Sequence, residues 1–258
     1  MKNFFTLLFF CCLFSNCSDD DQATTTTPSS SLATRPDANS SFDDSFKGIY
    51  KGIVMGDVSG TVYVDLLNDG EIWAKLRTNN HETYVLQNIP LEIDKNSIPS
   101  PLKKFRFANE NISFDMKVDE LGNNISVSNL MFFSDETSKI CLTKERSTSL
   151  VKCYSGKFIG DEESGDINFT TDGQSNVKGF SKNLNSASIT SVSGYLNATL
   201  AIDGKTTPTE DNPNYSYYQL NANLHIGEIS GYLEGYKFDG KWMAEGSELG
   251  SWNATRIL

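Results

Sequence analysis

Residues 61–76 read TVYVDLLNDGEIWAKL. Val62, Val64 and Leu66 alternate with Thr61, Tyr63 and Asp65, and after Asn68, Asp69 and Gly70 the alternation resumes with Ile72, Ala74 and Leu76 set against Trp73 and Lys75. A period of two puts successive side chains on opposite faces of a strand, and an Asp-Gly step supplies the left-handed backbone that a tight reversal needs. The segment is predicted to be an antiparallel hairpin with one buried face.

The same period recurs along the chain. Strand patterns fit 105–118 in two pieces, 125–133, 140–144, the neighbourhood of 158, 167–171, 189–202, 215–226, 229–238 and 250–257. No window carries a sustained 3.6-residue apolar stripe, and Gly or Asn-Asp turns recur at short spacing. The expected fold class is all-β: an antiparallel sandwich or calycin-like barrel units.

The chain also repeats itself. YKGIVMGDVSG from Tyr50 matches YSGKFIGDEESG from Tyr154, with Tyr50, Gly52, Gly56 and Asp57 falling on Tyr154, Gly156, Gly160 and Asp161 at an offset of 104. One inserted residue then brings Gly60 onto Gly165. Both copies end on a short strand closing in Thr and a cation, Leu142-Thr143-Lys144 and Ala254-Thr255-Arg256. Two related halves are expected, 45–147 and 148–258, meeting near the run ERSTSL. Glycine weakens a strand interior, so its density here argues for corners, bulges and rings laid over bare backbone. In 231–236, GYLEGY, the tyrosines are expected to cover that backbone, while Trp73, Trp242 and Trp252 are expected to be core pillars.

The amino-terminal 44 residues are different. Lys2 is followed by an almost wholly apolar run, 4–14, which at about 1.5 Å per residue is too short to cross a bilayer that needs roughly 20 residues. It fits the hydrophobic region of a signal peptide, 1–16. Then comes FSNCSDDD, residues 14–21, and after it a stretch rich in Thr, Ser and Pro with almost nothing apolar. Such a composition cannot offset its own ordering entropy, so 17–44 is read as a disordered tether.

FSNC resembles the lipobox of bacterial lipoproteins, departing from the strict pattern at Phe14 and Asn16. The resemblance implies cleavage before Cys17 and acylation of its sulfur with palmitate-type chains, two or three of which hold a protein firmly to a membrane. With the acidic run Ser18-Asp19-Asp20-Asp21, the tether and the Gly-rich β repeats, the chain resembles exported lipoproteins of the Bacteroidota. That implies an outer-membrane protein anchored by its N-terminal lipid and displayed on the cell surface. The resemblance brings no active-site motif. FDGKWMAEGSELGSW, residues 238–252, is similar to the strands of calycin-like barrels, a hint of fold alone.

Formal net charge is −11, which argues against nucleic acid as a partner. Cys141 and Cys153 form an even pair in an exported chain and are expected to bridge as a disulfide; Cys11 and Cys12 leave with the signal peptide. His81 and His225 stand alone and no Cys-x-x-Cys spacing occurs, so neither a metal nor a cofactor is implied. Catalytic signatures are thin. The Ser-x-x-Lys tetrads at 100–103, 149–152 and 175–178 lack their companion elements. Asp161, Glu162, Glu163 and Asp166 offer carboxylates for a glycosidase or lyase, or oxygens for Ca²⁺, but carboxylates that neighbour one another in a turn are usually a solvated acidic loop.

Tyr215, Tyr217 and Tyr218 in NPNYSYYQL give a candidate ligand platform, because Tyr215 and Tyr217 share one strand face and could stack on a sugar or a peptide. Filling the core is the alternative. The expectation from sequence is a lipid-anchored, non-enzymatic module binding a glycan or protein; an enzyme on a β scaffold is the rival.

Overall fold

The structure is a computed structural model that describes residues 32–91, 101–133, 135, 137–161, 163–185, 188–198, 218–224 and 227–258. Two eight-stranded antiparallel units follow one another along the chain. In the first, β1 (Gly48–Met55) pairs with β2 (Gly60–Leu66), and a meander continues through β3 (Ile72–Thr78), β4 (Thr83–Ile89), β5 (Lys103–Ala108), β6 (Ile112–Val118) and β7 (Ser126–Phe132). The last strand, β8 (Lys139–Lys144), returns to the free side of β1. The second unit repeats this order with β9 (Lys152–Gly160), β10 (Ser164–Thr171), β11 (Asn176–Asn183), β12 (Ile189–Ala198), β13 (Tyr218–Leu224), β14 (Gly227–Glu234), β15 (Lys237–Ala244) and β16 (Ser247–Arg256). Here β16 pairs with both β15 and β9, so the sheet closes into a barrel. The fold is all-β, with two related halves.

Register shows the relation residue by residue. Tyr50 stands opposite Lys144 and Tyr154 opposite Arg256, Gly52 opposite Leu142 and Gly156 opposite Ala254. The two terminal cations therefore occupy one structural position. Each uses it to hold carbonyls of the chain preceding β1: Lys144 Nζ donates to Phe42 O at 2.8 Å and to Ser45 O, and Arg256 donates to Ala33 O at 2.5 Å.

Residues 61–76 form the hairpin that their alternation predicts, with Leu66 opposite Ile72 and Val62 opposite Leu76. Its buried face (Val62, Val64, Leu66, Ala74 and Leu76) joins Leu86, Phe107 and Phe114 in the first core. The barrel core is aromatic: Tyr154 and Phe169 stack with centroids 5.1 Å apart, and Phe238 meets Tyr154 edge-on at 4.9 Å. An eight-stranded barrel is just wide enough for its own side chains to fill, and these rings fill it. Ring on bare backbone does occur, but tryptophan supplies it. A Cβ on Gly231 or Gly240 would stand 2.6 Å from the Trp252 ring, whose Nε1–H donates to Ser230 O at 2.9 Å. Tyr232 and Tyr236, expected to do this, are exposed: Tyr232 alternates with the inward Gly231 and Leu233, and Tyr236 lies in the turn between β14 and β15. Trp242 and Trp252 are core; Trp73 lies on the outer face, stacked on Tyr63 at 5.3 Å.

Every residue of β1 is buried, since its second face (Ile49, Lys51, Ile53 and Met55) packs on the outside of the barrel at β9, β10 and β11. The junction is partly polar. Lys51 Nζ reaches both oxygens of Glu145 at 2.8 Å and Asp37 Oδ2 at 2.8 Å, while the Glu145 carboxylate also accepts the backbone N–H of Asp37 at 2.7 Å and of Val151 at 3.0 Å. A buried ion pair is tolerable only when its lone pairs and protons are met in this way. Glu145 thus ties the far end of the connection 145–151, just before β9, to β1 and to the segment that precedes it.

The folded body begins before position 45. Residues 32–44, expected to belong to the disordered tether, lie against it. Asp37 and Asn39 engage Lys51, Glu145 and Asn68; Asp43 accepts Ser147 N–H at 2.8 Å and Ser147 Oγ–H at 2.7 Å. Composition hid this because the segment docks through polar groups rather than by burying apolar ones.

Candidate functional site

The halves differ at one seam. β15 and β16 are joined by Glu245 and Gly246 alone, both at positive φ (50° and 80°), as a two-residue turn matched to strand twist requires. β7 and β8 are joined instead by 133–138. That connection turns on Asp135, which accepts from the Thr137 backbone N–H and Oγ at 2.7 Å each, from Ser138 Oγ, and from Asp57 N–H at 3.3 Å. These donors hold its carboxyl down at about 2, against the opposing effect of burial. β7 also carries Asn129 at φ 52°, where its register with β6 shifts. No ladder joins β7 to β8 among the described residues.

Beside these strands lies a cleft of about 770 Å³, lined by the start of β7 and the end of β8. Its floor is apolar: Ile125 and Val127 from one side, Ile140 and Leu142 from the other. The rim is polar. Asn123 and Asn124 belong to the β6–β7 turn, while Asp172, Gln174, Asn176 and Lys178 come from the β10–β11 hairpin of the barrel. Asp172 is occupied by its own turn, accepting from Gln174 N–H at 2.8 Å and Asn176 N–H at 3.0 Å. Burial depresses Lys144 to about 8, and Arg146 is spent on Asp43 O and Asp44. Lys178 is exposed, and among the described residues no carboxylate pairs with it. The arrangement can take an elongated molecule that presents apolar groups downward and polar groups to amides and a cation above.

The residues singled out from sequence fall elsewhere or partly here. Cys17, Tyr215 and Tyr217 lie outside the described residues. Tyr218 opens β13, its backbone paired with Ala198 and Leu233. Cys141 lines the cleft, and Cys153 lies at the junction. The expected disulfide between them is absent: both are free thiols. The Cys153 Sγ–H is directed to the Gly52 carbonyl oxygen at 3.4 Å, and burial pushes both thiols up, Cys141 to about 11. Of the acidic group, Asp161 and Glu163 sit on the tight β9–β10 turn and Asp166 faces Lys157 at 3.9 Å; Glu162 is outside the described residues.

Sequence reasoning met Lys178 only in the Ser-x-x-Lys tetrad 175–178, which it set aside, and missed Gln174 and Asn124, because a cleft made by strands that fail to pair leaves no motif. The nearest available signal was the contrast between the short AEGS turn at 244–247 and the longer FSDETS at 133–138. No protein-family model, curated protein or solved structure matches the chain. Fold and cleft together define an all-β protein of two related halves, one closed and one open along a polar-rimmed seam.

Proposed function

We propose that this chain is a lipid-anchored module of the bacterial outer membrane, held through Cys17, that binds a glycan or protein ligand without transforming it. The anchoring rests on the sequence: a short apolar leader, FSNC, and the acidic start. The binding rests on one observation, the cleft of about 770 Å³ with an apolar floor and a rim of amides and a lysine, Lys178, that pairs with no carboxylate among the described residues. Such a mix suits recognition, because amides and a lysine orient a ligand while the floor supplies area. Asp161 and Glu163 belong to a turn and Asp166 to an ion pair, and none of the three lines the cleft.

The test is a screen of glycan and peptide arrays with the full chain and with a triple variant, Asn124→Ala, Gln174→Ala and Lys178→Glu. At least one ligand class should bind the native chain and lose roughly tenfold or more on the variant. Equal binding by both to every ligand would refute the assignment of the cleft. Mass measurement of the native protein tests the anchor: acyl mass on Cys17 is expected, and a bare thiol or intact leader contradicts it.

A further inference from the structure

We propose that the seam between β7 and β8 accepts an extended segment of a partner polypeptide as an added strand, one in which apolar residues alternate with acidic ones. This rests on the reading of the cleft as a binding site and narrows it to one class of ligand.

The backbone argues first. Glu145 N–H donates to Ile49 O at 2.9 Å, so Thr143, Cys141 and Lys139 exchange hydrogen bonds with β1. In an antiparallel pair the direction alternates, so the N–H and C=O groups of Ile140, Leu142 and Lys144 point the other way, into the seam. In the barrel the equivalent positions, Trp252, Ala254 and Arg256, face β15 and are paired; the Arg256 N–H reaches Tyr236 O at 2.8 Å. The closed half therefore shows what satisfies such an edge: a strand. An unpaired row of this kind is a template for another chain, and strand addition is an established mode of peptide recognition.

The side chains then specify the occupant. Alternate residues of an inserted strand would point down onto Val127, Ile140 and Leu142 and must be apolar to continue that core. Those between them would point out toward the barrel hairpin, where Lys178 has no carboxylate partner among the described residues. That cation favours an acidic side chain directly opposite it. A glycan could meet the amides, but it lacks the two-residue repeat of donors and acceptors that the β8 edge presents.

The experiment titrates the full chain with three synthetic eight-residue peptides while amide exchange is followed residue by residue. One peptide alternates valine with glutamate, one valine with lysine, and one is the valine-glutamate peptide N-methylated at alternate positions. The first should bind and slow exchange at Ile140, Leu142 and Lys144 by at least about tenfold; the N-methylated form should not. Lys178→Glu should weaken the valine-glutamate peptide and strengthen the valine-lysine one, each by roughly fivefold to tenfold. Equal binding of the methylated and unmethylated peptides, or protection elsewhere in the chain, would overturn the proposal. So would protection of the same amides by dimerisation without peptide, which would assign the seam to a second copy. If dextran oligosaccharides perturb the cleft and no peptide does, the strand fails and the binding site stands; if neither perturbs it, both fall.

Discussion

The two halves share strand order, register and even the closing cation, yet one is a barrel and the other an open sheet. Tyr154 with Arg256 and Tyr50 with Lys144 show the common plan. The divergence lies in how the last hairpin is made. Two residues at positive φ start β15 and β16 at pairing distance, and the ladder then runs on to close the barrel. In the first half Phe132 and Asp135 exchange backbone hydrogen bonds at 3.2 and 2.9 Å, but the pairing stops there: the Asp135 carboxylate holds Thr137, Ser138 and the Asp57 N–H, β7 shifts register near Asn129, and no ladder follows among the described residues. The halves thus differ in how far this last hairpin stays paired: the ladder runs on from Ala244–Ser247 in one and stops at a single bridge in the other. The open half, relieved of one ladder, gains a cleft.

The largest loss of stability is expected at the buried ion pair between β1 and the connection to β9. Glu145→Ala leaves Lys51 buried without its main partner and should cost about 3–5 kcal/mol in a denaturant titration. A loss below about 1 kcal/mol would show that the halves do not depend on this ion pair. Next come the cores. Phe169→Ala removes a ring packed among Tyr154, Phe238 and Trp252 and should cost about 3–5 kcal/mol, whereas Val127→Ala, half-buried at the seam, should cost under about 1 kcal/mol. Similar losses at the two sites would mean that the seam is packed as tightly as the barrel.

A smaller effect is expected at Asn168, buried on the outer face of β10 with neither side-chain oxygen nor nitrogen hydrogen-bonded. Asn168→Val should stabilise by about 1 kcal/mol, since an unsatisfied buried amide costs that or more. A destabilised variant would point to a water bound there.

The smallest effects are two opposed pH dependences in the first half. Burial raises Asp65 to about 6, so the folded state holds that proton more tightly than the unfolded chain does. Stability should fall as pH rises from about 4 to about 6, and Asp65→Asn should remove that slope. Asp135 is held at about 2, so its contribution is complete above about 4 and is lost as pH falls toward 2; Asp135→Asn should flatten that limb instead. Thermal melts from pH 2 to 7 on both variants check the signs.

Much of the fold was legible because alternation marks half-buried strands directly, as at 61–76. Strands whose inward residues are small gave no such signal. β11 sends in Val177, Gly179 and Ser181, a sequence with little apolar contrast. β14 and β15 ran together at 229–238 because the turn at Gly235 interrupts neither alternation nor glycine spacing. The continuous burial of β1 reads as GIYKGIVM, apolar but for one lysine, and that lysine proved to be half of the junction's ion pair. The cleft was not legible, since it arises where two strands do not meet.

The most direct test is residue-resolved amide exchange on the free protein, comparing Ile140, Leu142 and Lys144 with their counterparts Trp252, Ala254 and Arg256. An open seam predicts exchange at the first three at least about a hundredfold faster than at the second three. Equal, slow exchange in both sets would mean that β7 and β8 pair in solution, and both the cleft and the ligand reading built on it would be wrong.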